Sequence, residues 1–142
     1  MKRWGTVLLL GCSLLLPSFV LADDACPQGP DIPTRLLVGH WEVELHSRPA
    51  GCWTLELRPH PEHEGSLRGT MQQGGRQAMV VADWDDGEFT MEESHDGQRI
   101  AATWLATASP GLCGRQLEGT RHTGDGPNAR PERFTMRSIR LR

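Results

Sequence analysis

The feature that most constrains this chain is a strict two-residue alternation. It is clearest in residues 38–58, VGHWEVELHSRPAGCWTLELR. Trp41, Val43 and Leu45 fall on one face, and His40, Glu42, Glu44 and His46 on the other. After a turn, Trp53, Leu55 and Leu57 share a face opposed by Thr54, Glu56 and Arg58. This period is that of two β-strands with one buried face. Between them, Ser47-Arg48-Pro49-Ala50-Gly51 is a turn, since proline presets φ and glycine permits a positive φ.

The remainder repeats the pattern. A third strand is expected over residues 66–73, with Leu67, Gly69 and Met71 in phase. A fourth covers 77–84, apolar on both faces at Met79, Val80, Val81 and Ala82. A fifth covers 88–94, with Phe89 and Met91 inward and Glu88, Thr90 and Glu92 outward. The sixth is expected over 98–107, with Ile100, Ala102 and Trp104 on one side, and the seventh over 112–122. In the eighth, 133–141, Phe134 and Met136 slip out of phase with Ile139 and Leu141, which predicts a bulge. Gly74-Gly75, Asp86-Gly87, Asp96-Gly97 and Ser109-Pro110-Gly111 separate the runs. No helical period follows residue 22. Short sequential strands with tight turns predict an all-β fold, an eight-stranded antiparallel up-and-down meander barrel in one domain. Closure removes exposed edges, and a two-sheet sandwich is the alternative.

Residues 1–22 read as a cleaved signal peptide. Lys2 and Arg3 precede an apolar run, and Val20-Leu21-Ala22 ends it with a small residue. An uncleaved anchor fits less well because the run is short of about 20 residues. Leu10-Gly11-Cys12 gives lipidation as a further alternative. Periplasmic or secreted localisation follows, with residues 23–37 as a proline-rich arm (Pro27, Pro30, Pro33) and 38–142 as the barrel domain. After cleavage 13 arginines face 18 acids, a net charge of −5. An acidic chain lacks the basic footprint of a nucleic-acid binder. No membrane span is expected after cleavage, and a monomer is expected. Asp83, Asp85, Asp86, Glu88, Glu92, Glu93 and Asp96 form an acidic stretch, read as solvated strand faces complemented by neighbouring strands.

Three cysteines follow residue 22: Cys26, Cys52 and Cys113. In an exported domain two of them form a disulfide. In a meander the connections alternate between the barrel's ends. Cys52 opens the second strand at one end, whereas Cys113 opens the seventh at the other. A strand of about eight residues is roughly 26 Å long, and bridged Cα atoms lie within about 7 Å. Cys26, on the arm entering the first strand, shares Cys113's end. The predicted bridge is Cys26–Cys113, with Cys52 free.

No catalytic residue is assigned, since no nucleophile–base pattern is readable, and no cofactor is expected. The candidate metal ligands are His60 and His63 in His60-Pro61-Glu62-His63-Glu64, with a third ligand such as Cys113 or His122 needed from elsewhere. Trp41, Trp53, Trp84 and Trp104 are expected in the core, or in part lining a ligand cavity.

Gly39-His40-Trp41 at the start of the first strand resembles the Gly-x-Trp opening of the calycins, the lipocalin and avidin group of eight-stranded barrels. That resemblance implies a place for Trp41 at the closed end. Together with Cys52-x-Thr54-Leu55-x-Leu57, it also resembles the start of the bacterial periplasmic inhibitors of secreted metalloproteases, barrels whose N-terminal arm plugs a protease cleft. The expected function is a non-catalytic binding module for a small ligand or a protein. Inhibition of a secreted protease or lysozyme, and metal binding through the His60–His63 loop, are the alternatives.

Overall fold

The computed structural model describes residues 26–48, 51–124 and 131–140. It contains eight strands: β1 (Gly39–Leu45), β2 (Cys52–Pro59), β3 (Leu67–Gln73), β4 (Arg76–Asp85), β5 (Glu88–Ser94), β6 (Ala102–Ala108), β7 (Gln116–Thr123) and β8 (Glu132–Ile139). Each pairs antiparallel with the next. The barrel closes where β8 returns to β1, from His40 opposite Ile139 to Leu45 opposite Phe134. The meander barrel read from the alternation is therefore the fold. The signal peptide expected over residues 1–22, like everything preceding Cys26, lies outside the described residues.

Alternation sorts the side chains. Trp41, Val43, Leu45, Leu55, Leu57, Leu67, Met71, Val80, Phe89, Met91, Trp104, Leu117, Phe134 and Met136 form one continuous buried core inside the barrel. Trp104 packs edge-on against Phe134 with centroids 4.8 Å apart, a favoured aromatic geometry. The interior is thus filled by side chains, as eight strands allow.

Closure needs sharp bending, and two glycines supply it. Gly69 on β3 and Gly119 on β7 sit so close to the preceding strand that a Cβ would overlap the carbonyl oxygens of Glu56 and Leu105 respectively. Glycine allows this approach because it lacks the Cβ. Gly119→Ala is expected to lower unfolding free energy by about 1–3 kcal/mol, the usual cost of overpacking. A urea melt unchanged from wild type would show that β6 and β7 separate without strain.

Several strand limits differ from the sequence reading. Ile100 is exposed in the 95–101 loop rather than starting β6. Leu112 and Cys113 belong to the loop before β7. Met79 and Val81 project outward from β4, while Ala78, Val80 and Ala82 face in. The expected bulge in β8 is absent: its register with β1 and β7 runs without interruption, and Ile139 simply projects outward. Leu141 lies outside the described residues. At one point of the acidic stretch, neighbouring strands bring like charges together rather than complementing them. Asp85 on β4 lies directly opposite Glu88 on β5.

The two ends of the barrel are unlike. The arm crosses the end where β1 begins, in two short 3-10 turns, Gly29–Asp31 and Thr34–Leu37. Ile32 and Leu37 are buried there. Gly114 packs so closely on Ile32 that a Cβ would press into the isoleucine side chain, and the Gly111 N–H donates to Gln28 Oε1 at 3.0 Å. Trp41 is buried at this end and donates its indole N–H to the Leu37 carbonyl at 2.9 Å. Cys26 and Cys113 are joined in a disulfide, Cα atoms 5.0 Å apart, and Cys52 is free and exposed. Among the described residues no helix is long and apolar enough to cross a membrane.

Candidate functional site

Among the described residues no segment crosses the opposite end, called here the open end, and its ring of inward residues turns from apolar to charged. On β5 the inward series Phe89, Met91 continues to Glu93; on β7 the series Leu117, Gly119 continues to Arg121. Both strands flank β6, where Ala102 pairs with Glu93 and Trp104 pairs with Arg121. The short Ala102 side chain leaves room for the two charged groups to meet.

Glu93 is fully buried, and the Arg121 side chain is 9% exposed. Arg121 Nε and Nη2 donate to the two carboxylate oxygens at 3.1 and 3.2 Å, a bidentate pair. Trp104 Nε1 donates to Glu93 Oε2 at 3.0 Å. The Arg121 guanidinium lies 5.3 Å from the Trp53 ring centroid and 5.2 Å from that of Trp104, within cation–π range. Charges taken out of water cost several kcal/mol each, and only such complete pairing offsets the loss. Around the pair, Glu132 accepts from Arg121 Nη1 at 3.2 Å and from Ser47 Oγ at 2.8 Å. Arg48 approaches Glu132 at 3.3 Å, and His95 approaches Glu93 at 3.4 Å.

A cleft of about 140 Å³ opens over this network, lined by Trp53, Met71, Gln73, Arg76, Glu93 and Arg121 among others. The 95–101 loop forms part of its rim. It is fixed by Asp96, whose Oδ1 accepts the backbone N–H groups of Gln98 and Arg99 at 2.9 and 2.8 Å. Those bonds hold the Asp96 carboxyl below its ordinary pKa range.

The tryptophans divide by position. Trp41 and Trp104 are core, Trp53 walls the cleft, and Trp84 is half-buried at the plugged end beside Asp83, Asp85 and Asp86. His60 and His63 stand in the loop between β2 and β3 with ring centroids 4.5 Å apart. His60 Nδ1 accepts backbone N–H groups from Glu62 and His63, both at 3.2 Å. The third ligand sought for them is not brought in. Cys113 is spent in the disulfide, and His122 bonds Thr120 near the open end. Among the described residues no three His, Cys, Asp or Glu side chains are grouped to hold a metal.

Sequence reading placed Glu93 in the solvated acidic stretch and passed over Arg121. The signal was available: each extends an inward series by one more step of two. Cys52 lies on the outer face of β2, its thiol 3.1 Å from Glu42 Oε1. The hydrogen bond to Glu42 raises the thiol pKa, aided by slight local desolvation and by the charges of Glu42 and Glu44. Glu42→Gln is expected to speed alkylation of Cys52 by iodoacetamide at pH 8, because more thiolate forms. An unchanged rate would show that Glu42 does not control the thiol.

The closed eight-stranded barrel agrees with the calycin-type architecture that Gly39-x-Trp41 implied, and Trp41 does lie at the plugged end. Compared with known proteins, the chain matches no family model, no curated protein and no solved structure.

Proposed function

We propose that this chain is an exported, non-catalytic binding module whose open end receives a side-chain-sized group of a partner. The observation that carries this reading is the buried Glu93–Arg121 pair walling a cleft at the open mouth of a filled barrel. An ion pair taken out of water is weak evidence for stability, and charged groups placed in a concave site are what recognition uses. The cleft, about 140 Å³, falls below the roughly 300–1,000 Å³ of drug-sized ligand sites. It suits one side chain or chain end. Glu93 is a poor general base, because both its oxygens are already engaged by Arg121 and Trp104. The basic and apolar leader and the Cys26–Cys113 disulfide support export.

Inhibition of a secreted hydrolase is this same reading with the partner specified. The open end is then the engaging surface, rather than the arm from Cys26 onward. Ile32 and Leu37 are buried under the barrel, and Cys26 is tied to Cys113.

The test is a nuclear magnetic resonance screen of ¹⁵N-labelled protein against a library of short peptides and small polar solutes. Expected are saturable shifts at the Trp53 indole and at the amides of Gln73, Gln77 and His95. Shifts confined to the outer strand faces or the plugged end, or none throughout the library, would overturn the reading.

A further inference from the structure

The hydrogen-bonding balance around the mouth decides which chemistry it selects. The carboxylate acceptors there are spent, and Gln73 and Gln77 add only neutral amides that both donate and accept. Glu93 Oε2 takes Trp104 Nε1 and Arg121 Nε, and Oε1 takes Arg121 Nη2. Glu132 Oε2 takes Arg121 Nη1, and Oε1 takes Ser47 Oγ, with Arg48 alongside. The donors are not spent. A guanidinium carries five N–H bonds, and Arg121 places three of them on Glu93 and Glu132. One N–H remains on each terminal nitrogen. Arg76 lines the cleft with no ion pair among the described residues. The Trp53 indole N–H, buried in the cleft wall, donates to no acceptor among the described residues. A buried donor without a partner calls for explanation.

Charge points the same way. Arg48, Arg76 and Arg121 face Glu93 and Glu132, an excess of one positive charge among these five side chains. A single negative charge offsets it, whereas a phosphate dianion overshoots. The volume of about 140 Å³ equals about four to five waters at ~30 Å³ each, room for a carboxylate and one or two methylenes. Trp53 and Met71 provide apolar wall for those methylenes.

Resting on the binding-module reading, we infer that the mouth recognises a peptide-borne carboxylate, presented as a C-terminus or as an Asp or Glu side chain. Arg121 and Arg76 hold the oxygens, and Trp53 flanks the carbon stem. Salt weakens the complex, since Arg76 sits at the exposed rim.

The experiment titrates ¹⁵N-labelled protein, its disulfide intact, with four blocked probes. These are N-acetyl-glutamate amide, N-acetyl-alanine with a free C-terminus, N-acetyl-glutamine amide and N-acetyl-lysine amide. The expected result is saturable movement of the Trp53 indole signal with the two acids, and none with the glutamine or lysine probes at tenfold higher concentration. The tighter acid identifies the source of the carboxylate. Arg76→Gln should weaken the acids by about two- to fivefold, the range of an exposed ion pair. It leaves the buried pair untouched, so it does not depend on a variant that fails to fold. Equal binding of the glutamine probe, or preference for the lysine probe, overturns the carboxylate inference while the module reading stands. Binding by neither acid also overturns it. The broader library screen then decides independently whether the mouth binds anything.

Discussion

Arg121→Met is expected to lower the unfolding free energy by about 3–5 kcal/mol, read from urea denaturation. The substitution keeps an unbranched apolar stem and removes the guanidinium that lies against Trp53 and Trp104, with its charge and its donors. Glu93, fully buried, then keeps Trp104 Nε1 but loses the bidentate guanidinium. An uncompensated carboxylate out of water is the costly outcome, more than the loss of the attraction itself. The control is Glu93→Leu together with Arg121→Met, which removes both charges at once. Replacing a buried pair by apolar groups is often neutral or stabilising, so the double variant should recover most of the loss. If the single variant costs less than about 1 kcal/mol, the pair is solvated in solution and the cleft is more open than described. If the double variant is as unstable as the single one, packing rather than charge explains the effect.

Cys113→Ser is expected to be comparably damaging, for a different reason. The bridge joins residues separated by 87 positions, so it encloses most of the barrel. The chain-entropy relation assigns a loop of that size roughly 4–5 kcal/mol, and native disulfides of small secreted domains typically contribute about 2–5. The effect acts mainly on the unfolded chain, which gains freedom when the link is lost. A local effect accompanies it. Without the link, the arm is held over the barrel end only by the burial of Ile32 and Leu37 and by the hydrogen bonds of Gln28 and Leu37 to Gly111 and Trp41. Limited proteolysis of the serine variant should therefore cut first within residues 26–37, before the strands. A variant with wild-type denaturation and an uncut arm would show that packing alone secures the plug. Cys52→Ser, on an exposed outer position, is the matched control and should be near neutral.

The barrel itself was legible because its cause is local. Trp41, Val43 and Leu45 alternate with polar residues, and a strand slipped by one position would expose all three. Asp86-Gly87 announced a two-residue hairpin, and both residues do adopt positive φ, 47° and 85°. Even the disulfide followed from counting connections, since a meander fixes which end each cysteine occupies. Strand limits were less legible. Ile100 and Leu112 are apolar and in phase, yet both sit in loops. Periodicity marks a face but does not say where pairing with a neighbour stops.

The site was hidden for a related reason. Glu93 and Arg121 are 28 positions apart, and each looks like an ordinary surface charge in its own run. Composition assigned Glu93 to the solvated acids of β4 and β5, because charge normally predicts exposure. Alternation gave the opposite answer, placing it inward after Phe89 and Met91, and alternation prevailed. Similarly, His60 and His63 looked like a ligand pair in sequence, but their loop lies at the plugged end with Cys113 committed elsewhere. By itself the sequence determined the strands, their inward faces, their order and the cysteine pairing, all set by period, turn chemistry and connection length. Tertiary structure alone decided that the interior is filled and that a charged pair meets at the end opposite the arm. Those outcomes depend on which side chains face each other across a closed barrel, and that is fixed by the shear and closure of the sheet rather than by any one strand.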